Sequence, residues 1–208
     1  MSSPALHLIR LTAVEKRFDS DVVLEGVDLA LHEGDRLMIV GANGSGKSTL
    51  LRIVLGVTRV DRGRVWQDPR LRKEPVGYVP QRGGLYRDLS LLDNLVLRRR
   101  LYGRPDADPR EIQYIQEFGL LPHLNKRFAA LSGGLQRLST VAAALYVEPT
   151  WLVLDEPFAG VDASRRECVL RHLSALAGVL RLFLIAGPEP ESLDFAHGLL
   201  QVYQGRVL

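Results

Sequence analysis

The segment of residues 41–49 constrains this chain more than any other feature. It consists of Gly41, Ala42, Asn43, Gly44, Ser45, Gly46, Lys47, Ser48 and Thr49. This order fits the phosphate-binding pattern G-x-x-x-x-G-K-[ST], and an apolar run precedes it while a helical pattern follows. A glycine-rich loop in that setting turns backbone N–H groups and a positive helix end toward phosphate oxygens. The segment therefore predicts a nucleoside-triphosphate site, in which Lys47 contacts phosphate oxygens and Ser48 binds Mg²⁺.

Apolar runs and helix-spaced patterns alternate along the chain. The apolar runs predict strands at residues 6–14, 36–40, 76–79, 151–154 and 181–186. Helical spacing of apolar residues predicts helices at residues 48–55, 135–147 and 163–177. Near-continuous apolar strands separated by helices are typical of an α/β fold with a largely parallel central sheet. Turn-forming residues at 19–21 and 32–34 favour antiparallel strands near the N-terminus.

The strand pattern stops between residues 81 and 128. Two helical stretches are predicted there, at residues 90–102 and 108–118, with chain-breaking residues at 103–106 between them. We interpret this region as a helical insertion, approximately residues 82–145, within a single domain of residues 1–208. The basic run Arg98-Arg99-Arg100 is interpreted as a solvated helix face rather than a contact with phosphate or lipid.

Composition is typical of a compact globular chain, with 46% hydrophobic and 25% charged residues. The 27 basic and 24 acidic residues are spread along the sequence, so no nucleic-acid partner is expected. Each apolar run is far shorter than the roughly 20 residues of a membrane helix, and residues 1–10 lack a secretory signal pattern. The one cysteine, Cys168, excludes an intrachain disulfide and is expected in the core.

A second chemical element is the apolar run at residues 151–154, which ends in Asp155 and Glu156. Adjacent side chains at a strand end point to different sides. Asp155 can therefore hold hydrated Mg²⁺ while Glu156 polarises the water that attacks the γ-phosphate. An acidic turn after an apolar strand is common by itself, but a phosphate loop in the same chain favours the catalytic interpretation.

A third element stands between these two and consists of Leu131, Ser132, Gly133 and Gly134. It resembles the signature motif of the ABC ATPase family, and the resemblance covers residues 6–208. It implies an α/β P-loop NTPase of ABC type, with a RecA-like core, an antiparallel β subdomain and a helical subdomain. ATP and Mg²⁺ are the implied cofactors. In this family, the signature of one subunit closes over ATP that the phosphate loop of another subunit holds.

Other positions acquire roles from the same resemblance. Phe18 is similar to the aromatic residue that stacks on adenine, and Gln81 resembles the Q-loop glutamine, which implies that it senses Mg²⁺ and the partner. Asp162 resembles the residue that communicates between subunits, although its position equally suits a helix N-cap. Gly187 stands where the family places a switch histidine that contacts the γ-phosphate, so hydrolysis is expected to be slow. His197 is interpreted as a surface or packing residue rather than a substitute.

The resemblance implies an ATP-hydrolysing transporter subunit, cytoplasmic and peripheral on the inner face of the cell membrane. Its implied partners are a transmembrane permease subunit and a second ATP-binding subunit, either identical or a different one that supplies the missing histidine. The alternative is a non-transport ABC ATPase that regulates a membrane or nucleic-acid partner. A long heptad insertion or tandem modules, which mark several such proteins, do not fit in 208 residues.

Overall fold

The computed structural model describes residues 7–188 and 194–208. They divide into two compact units, which we call the phosphate-loop unit (Met1–Glu74 and Arg181–Leu208) and the central unit (Pro75–Leu180). The predicted first strand begins at residue 6, outside the described residues.

The strands and α-helices follow each other along the chain as the alternating sequence pattern predicts. The strands are β1 (His7–Phe18), β2 (Asp21–His32), β3 (Asp35–Val40), β4 (Arg62–Gln67), β5 (Val76–Val79), β6 (Trp151–Asp155), β7 (Leu182–Gly187), β8 (Gly198–Tyr203) and β9 (Arg206–Val207). The α-helices are α1 (Lys47–Val54), α2 (Leu91–Leu101), α3 (Gln113–Glu117), α4 (Gly133–Tyr146) and α5 (Ala163–Ala177). None of them, within the described part of the chain, combines the length and the apolar character that a bilayer-crossing helix needs.

The phosphate-loop unit contains an antiparallel sheet in which β1 lies between β2 and β4. Ile9, Leu11 and Val14 of β1 are buried, whereas Arg10 and Thr12 are exposed, so one face of the strand packs inward. The antiparallel strands predicted near the N-terminus are confirmed. The sequence analysis missed β4, because its residues, Arg-Gly-Arg-Val-Trp-Gln, form no apolar run.

The same unit contains a parallel group in which β3 pairs with β7 on one side and β8 on the other. Strand β9 pairs antiparallel with β8 and lies at the edge of the sheet, next to β8. Met38, Ile39 and Val40 are buried, as is every residue of β7. The register places Val40 opposite Gly187, so the carboxyl ends of β3 and β7 meet at one edge. The chain enters the phosphate loop directly after Val40.

The central unit contains the parallel pair β5 and β6 together with helices α2 to α5. Residues 137–146 of α4 are all buried, and α4 packs against β5. A Cβ at Gly77 of β5 would lie 2.6 Å from the Ala144 carbonyl oxygen of α4. Glycine at this position therefore permits the close approach of the helix to the strand.

One predicted helix of this unit is wrong in extent. Residues 108–118 form a 3₁₀ turn (Pro109–Glu111) followed by the short helix α3, instead of one continuous helix. The Asp108 side chain accepts a hydrogen bond from the Arg110 backbone N–H at 2.9 Å, which closes the turn. Ile112 then adopts an extended conformation and interrupts the helical path.

The structure contradicts the interpretation of the basic run Arg98-Arg99-Arg100 in α2 as a solvated helix face. Arg100 is exposed, but Arg99 is only 7% exposed, and the Arg98 guanidinium donates to the Tyr78 carbonyl oxygen at 2.9 Å. Arg99 donates to the carbonyl oxygen of Tyr146 at 2.6 Å and to the Glu148 carboxylate at 2.8 Å. The stem of a long cation can line a core while its donors satisfy buried carbonyls, so the sequence run alone did not reveal which arginine turns inward.

We expect Arg99→Ala to lower the free energy of unfolding by about 3 kcal/mol, because it leaves buried carbonyl oxygens without donors. The matched control is Arg100→Ala, which removes an exposed ion pair with Asp106 and should change stability by less than about 0.5 kcal/mol. Urea denaturation followed by circular dichroism measures both. Equal effects of the two substitutions would contradict the role assigned to Arg99.

Candidate functional site

The loop of residues 41–46 joins β3 to α1 in a conformation that requires glycine at two positions. Gly46 has a φ of 110°, and a Cβ there would lie 2.8 Å from the Val23 carbonyl oxygen. A Cβ at Gly41 would lie 2.2 Å from the Val202 carbonyl oxygen. Glycine at both positions lets the backbone curl over the start of α1 without a steric clash.

The polar groups of this loop converge at the N-terminus of α1. No side chain in the described chain caps the helix there, and its first turn carries no acidic residue. Lys47 is 4% exposed, and its Nζ donates to the carbonyl oxygens of Gly41 at 2.6 Å and Ala42 at 3.0 Å. Ser45 Oγ is buried without a hydrogen-bond partner among the described residues. A positive helix end, an ammonium group and a hydroxyl together suit a phosphate chain.

Two further predicted residues belong to the same unit. Ser48 is the second residue of α1 and is half-buried, and its hydroxyl is a hard oxygen ligand of the kind Mg²⁺ prefers. Phe18 ends β1 with 48% of its surface exposed, and Lys16 Nζ lies 5.2 Å from its ring centroid. An exposed aromatic face of this kind offers a stacking surface for a planar base.

The central unit carries the predicted carboxylates at the end of β6. Asp155 is the last residue of that strand and is completely buried. Glu156 follows with a φ of 51°, a left-handed conformation that turns the chain sharply after the strand. Gln81 Nε2 donates to Glu156 Oε1 at 3.1 Å, so the structure brings two of the predicted catalytic side chains into direct contact.

Arg137 is a residue that the sequence analysis missed. It lies on α4, is 7% exposed, and donates to the carbonyl oxygens of Glu156 at 2.9 Å and Pro80 at 2.6 Å. It also donates to the carbonyl oxygen of Asp155. Burial lowers the pKa of Arg137. One guanidinium thus holds the backbones of both the Gln81 loop and the Asp155-Glu156 turn. An arginine among the small apolar residues of α4 was the signal that could have identified it.

The signature residues occupy the N-terminus of α4. Ser132 is the N-cap, and its Oγ accepts a hydrogen bond from the Leu135 backbone N–H at 3.4 Å. Ser132 and Gly133 are exposed, and the first turn of α4 has no acidic residue. A Cβ at Gly134 would lie 2.6 Å from the Gly160 carbonyl oxygen, so glycine here lets the segment before Asp162 pack against the signature. The exposed helix end has the polarity that an anion requires.

Three other residues are placed as follows. Asp162 is the N-cap of α5, with its Oδ1 accepting from the Arg165 backbone N–H at 3.0 Å, and this bond lowers its pKa. The N-cap interpretation is therefore confirmed. Gly187 ends β7 beside Val40 and offers no side-chain donor at the edge where the phosphate loop begins. The side chain of His197 is 54% exposed and lies 3.8 Å from Asp35, which confirms it as a surface residue.

An open apolar groove lies between β5 and α2 in the central unit, with a volume of about 370 Å³. We call it the Tyr86 groove, after the exposed tyrosine that lines it. It is lined by Tyr78, Pro80, Gly84, Leu85, Tyr86, Asn94, Leu97, Arg98, Leu101 and Tyr102. The Asn94 side chain fixes the Tyr86 backbone, accepting from its N–H at 2.7 Å and donating to its carbonyl at 3.0 Å. Tyr86 and Leu101, which line this groove, are 61% and 70% exposed, so apolar surface of the groove faces solvent.

Sequence comparison gives the relationship of the chain to known proteins. Residues 24–159 match the protein family described as ABC transporter. The chain is 38% identical to the taurine import ATP-binding protein TauB of Pseudomonas aeruginosa, over 89% of this chain and 73% of that protein. It is 34% identical to the Fe(3+) ions import ATP-binding protein FbpC of Pseudomonas fluorescens, over 98% of this chain and 61% of that protein. The chain thus spans about three fifths of the length of several curated relatives it matches.

Solved structures share the fold. An ATP-binding cassette of an ABC transporter in its ADP conformation is 25% identical, with a TM-score of 0.73 over 98% of this chain and 90% of that chain. A dimeric cassette in a post-hydrolysis state bound to ADP and Pi is 24% identical, with a TM-score of 0.82 over 96% of each chain. The predicted ABC-type α/β fold is confirmed by these likenesses. The phosphate loop, the signature helix end and the matched family together show that the chain belongs to the ABC transporter family.

Proposed function

We propose that the chain is the ATP-binding and ATP-hydrolysing subunit of an ABC transporter, which drives substrate movement across a membrane through a separate transmembrane subunit. The observation that carries the proposal is the phosphate loop, in which Lys47 is buried under a curled backbone at the uncapped start of α1. The loop binds the phosphates of ATP through backbone N–H groups and Lys47. Phe18 stacks on the adenine.

Oxygen-bearing side chains supply the proposed Mg²⁺ ligands. They are the hydroxyl of Ser48 in the phosphate-loop unit and, in the central unit, the Asp155 carboxylate and the Gln81 amide. These are the hard donors that the ion accepts. An Mg²⁺ ion held by these residues would neutralise negative charge on the phosphate chain of ATP.

Glu156 is the proposed general base for the attacking water. Its carboxylate is held by the Gln81 amide, and its backbone is anchored by Arg137, so its position is fixed by two independent contacts. A carboxylate placed in this way polarises water during its attack on the γ-phosphate. Gln81 therefore orients the base. We also assign to Gln81 the sensing of Mg²⁺ and of the partner.

Replacing the base tests this assignment. We expect Glu156→Gln to lower the steady-state rate of ATP hydrolysis at least about 100-fold while ATP affinity changes little, because an amide cannot accept the proton. The measurements are phosphate release and calorimetric titration with ATP and Mg²⁺. The matched control, Glu167→Gln, alters an exposed carboxylate of α5 and should leave both quantities unchanged. Retained hydrolysis in Glu156→Gln would exclude Glu156 as the base.

Gly187 explains why slow hydrolysis is proposed for this chain. The residue pairs with Val40, next to the phosphate loop, and has no side chain to donate a hydrogen bond. Loss of one well-placed donor to a developing anion lowers rates by roughly two to three orders of magnitude. A second ATP-binding subunit that carries a histidine at this position would restore the donor at the other site of a heterodimer, whereas a homodimer would remain slow at both.

Introducing the donor tests this part of the proposal. We expect Gly187→His to raise the hydrolysis rate of the isolated chain at least about tenfold, with Gly187→Ala as the control for any effect of adding a side chain. Circular dichroism verifies that both variants are folded. A folded Gly187→His variant with the rate of Gly187→Ala would show that the missing histidine does not limit turnover.

Dimerisation forms part of the proposed mechanism. Ser132 and Gly133 present an exposed, uncharged helix end that is suited to a γ-phosphate held by another subunit. Binding of two ATP molecules then joins two subunits, and hydrolysis releases them. Asp162 lies immediately after the segment that touches Gly134, so we assign it the communication between subunits.

The Tyr86 groove is the proposed binding site for a helix of the permease subunit. Its apolar side chains are exposed together in the unit that also holds Gln81. Amphipathic helices bind such grooves through their apolar face. The chain would then work on the cytoplasmic side of the membrane as a peripheral subunit. The relatives bear names of both import and export proteins, and selection of the cargo is assigned to the membrane subunit.

A charged residue introduced into the Tyr86 groove tests whether a helix of the permease subunit binds there. We expect Leu101→Glu to reduce the recovery of a polytopic membrane protein with the tagged chain at least about tenfold, because an unpaired carboxylate would be buried on binding. The control is Val179→Glu, at a position 77% exposed outside the groove. ATP affinity should be unchanged in both variants. Recovery of soluble or nucleic-acid-associated proteins alone would support the non-transport alternative and reject the permease.

A further inference from the structure

Three side chains with metal-binding atoms meet where α3 packs against α5 in the central unit. Cys168 and His172 are four residues apart on α5, so they share one face of that helix. Glu117 is the last residue of α3. One ligand atom from each of these residues lies within 4.8 Å of the others. The proposed ATPase mechanism uses none of the three.

Two of the three distances between these atoms are close to those of a tetrahedral zinc site. Glu117 Oε2 lies 2.9 Å from His172 Nε2 and 3.4 Å from Cys168 Sγ. Zinc bonds of about 2.0 Å to oxygen and nitrogen and 2.3 Å to sulfur place neighbouring ligand atoms about 3.3 to 3.5 Å apart. The distance between Glu117 and Cys168 is close to this spacing, and the distance between Glu117 and His172 is a few tenths of an ångström shorter, while the ligand atoms of Cys168 and His172 lie within 4.8 Å of each other.

The surrounding residues orient two of the three ligands. Gln113 Nε2 donates to Glu117 Oε1 at 2.6 Å, which leaves Oε2 directed toward the sulfur and the imidazole. The His172 ring packs edge-on against Tyr114 and Phe118, with centroid distances of 5.9 and 5.5 Å. Outer contacts of this kind, which fix a carboxylate oxygen and a ring plane, are typical of metal sites.

The charges also suit a divalent cation. A Cys168 thiolate and a Glu117 carboxylate would neutralise an ion of charge +2, so the half-buried site would carry no net charge. Arg171 is the nearby opposing charge, with its Nη2 3.8 Å from Glu117 Oε2. Its side chain is 64% exposed and can turn into solvent when a cation replaces it.

We propose that Glu117, Cys168 and His172 bind a borderline-soft divalent cation, with Zn²⁺ as the ion that fits best. One sulfur, one nitrogen and one oxygen ligand match zinc, and a water molecule completes the tetrahedron. The site joins the end of α3 to the middle of α5.

Cobalt(II) alone, added to the reduced and nucleotide-free 208-residue chain, is the probe for this site. A thiolate bound to cobalt(II) gives an intense near-ultraviolet charge-transfer band, and tetrahedral coordination gives strong visible absorption. We expect both, saturating at one equivalent and abolished by added Zn²⁺. An Mg²⁺ site built from oxygen atoms gives neither signal, so failure of the ATPase proposal would leave this test unaffected. Absence of the band would overturn the proposal.

Substitutions decide whether all three ligands take part. His172→Gln and Glu117→Gln should each weaken cobalt(II) affinity at least about tenfold, and Cys168→Ser should abolish the near-ultraviolet band. His197→Gln, an exposed histidine in the other unit, should bind as the unmodified chain does. Both His172 and Glu117 are less buried than Cys168, so their variants give the result even if the cysteine variant does not fold. An unchanged affinity in His172→Gln would show that the imidazole does not bind the ion and would overturn the proposal.

Discussion

Burial of the apolar strands is the constraint on which the arrangement of both units depends. Strands β6 and β7 are buried along their entire length, and β3 is buried over its last three residues. Polar groups cannot stand inside such strands without partners, so chemistry is confined to the strand ends and the loops that follow. The phosphate loop follows β3 in one unit, and Asp155-Glu156 ends β6 in the other. In each unit the scaffold is apolar and the reactive residues lie where it ends.

Loops that leave buried strands need an anchor, and the central unit supplies one through Arg137. Its planar guanidinium has five donors and binds carbonyl oxygens from two different loops. A lysine could not satisfy the same set, because its donors radiate from a single nitrogen. The geometry of Gln81 and Glu156 therefore depends on a residue of α4 that donates hydrogen bonds to the backbone of both loops. Arg137 thus acts as a positioning residue, through which helix α4 keeps the loops of Gln81 and Glu156 at a fixed distance from each other.

The sequence predicted the parts of the fold in which local pattern and tertiary packing agree. Helix α5 begins and ends where the apolar spacing and Asp162 indicate, and the phosphate loop is recognisable because its glycines are sterically required. The inward turn of Arg99 and the role of Arg137 could not be predicted, since both depend on carbonyl oxygens distant in sequence. Strand β4 was missed because an exposed sheet face imposes little apolar pattern on its residues. The break at Ile112 reflects a side-chain turn at Asp108 that competes with the helix.

Helix α5 links two proposals that rest on separate observations. Its N-cap, Asp162, follows the segment whose Gly160 carbonyl approaches Gly134 of the signature, and its middle turns carry Cys168 and His172. A cation bound to Glu117, Cys168 and His172 would cross-link α5 to the end of α3. The proposed metal site and the proposed contact between subunits would thus depend on one helix, although they use different residues of it.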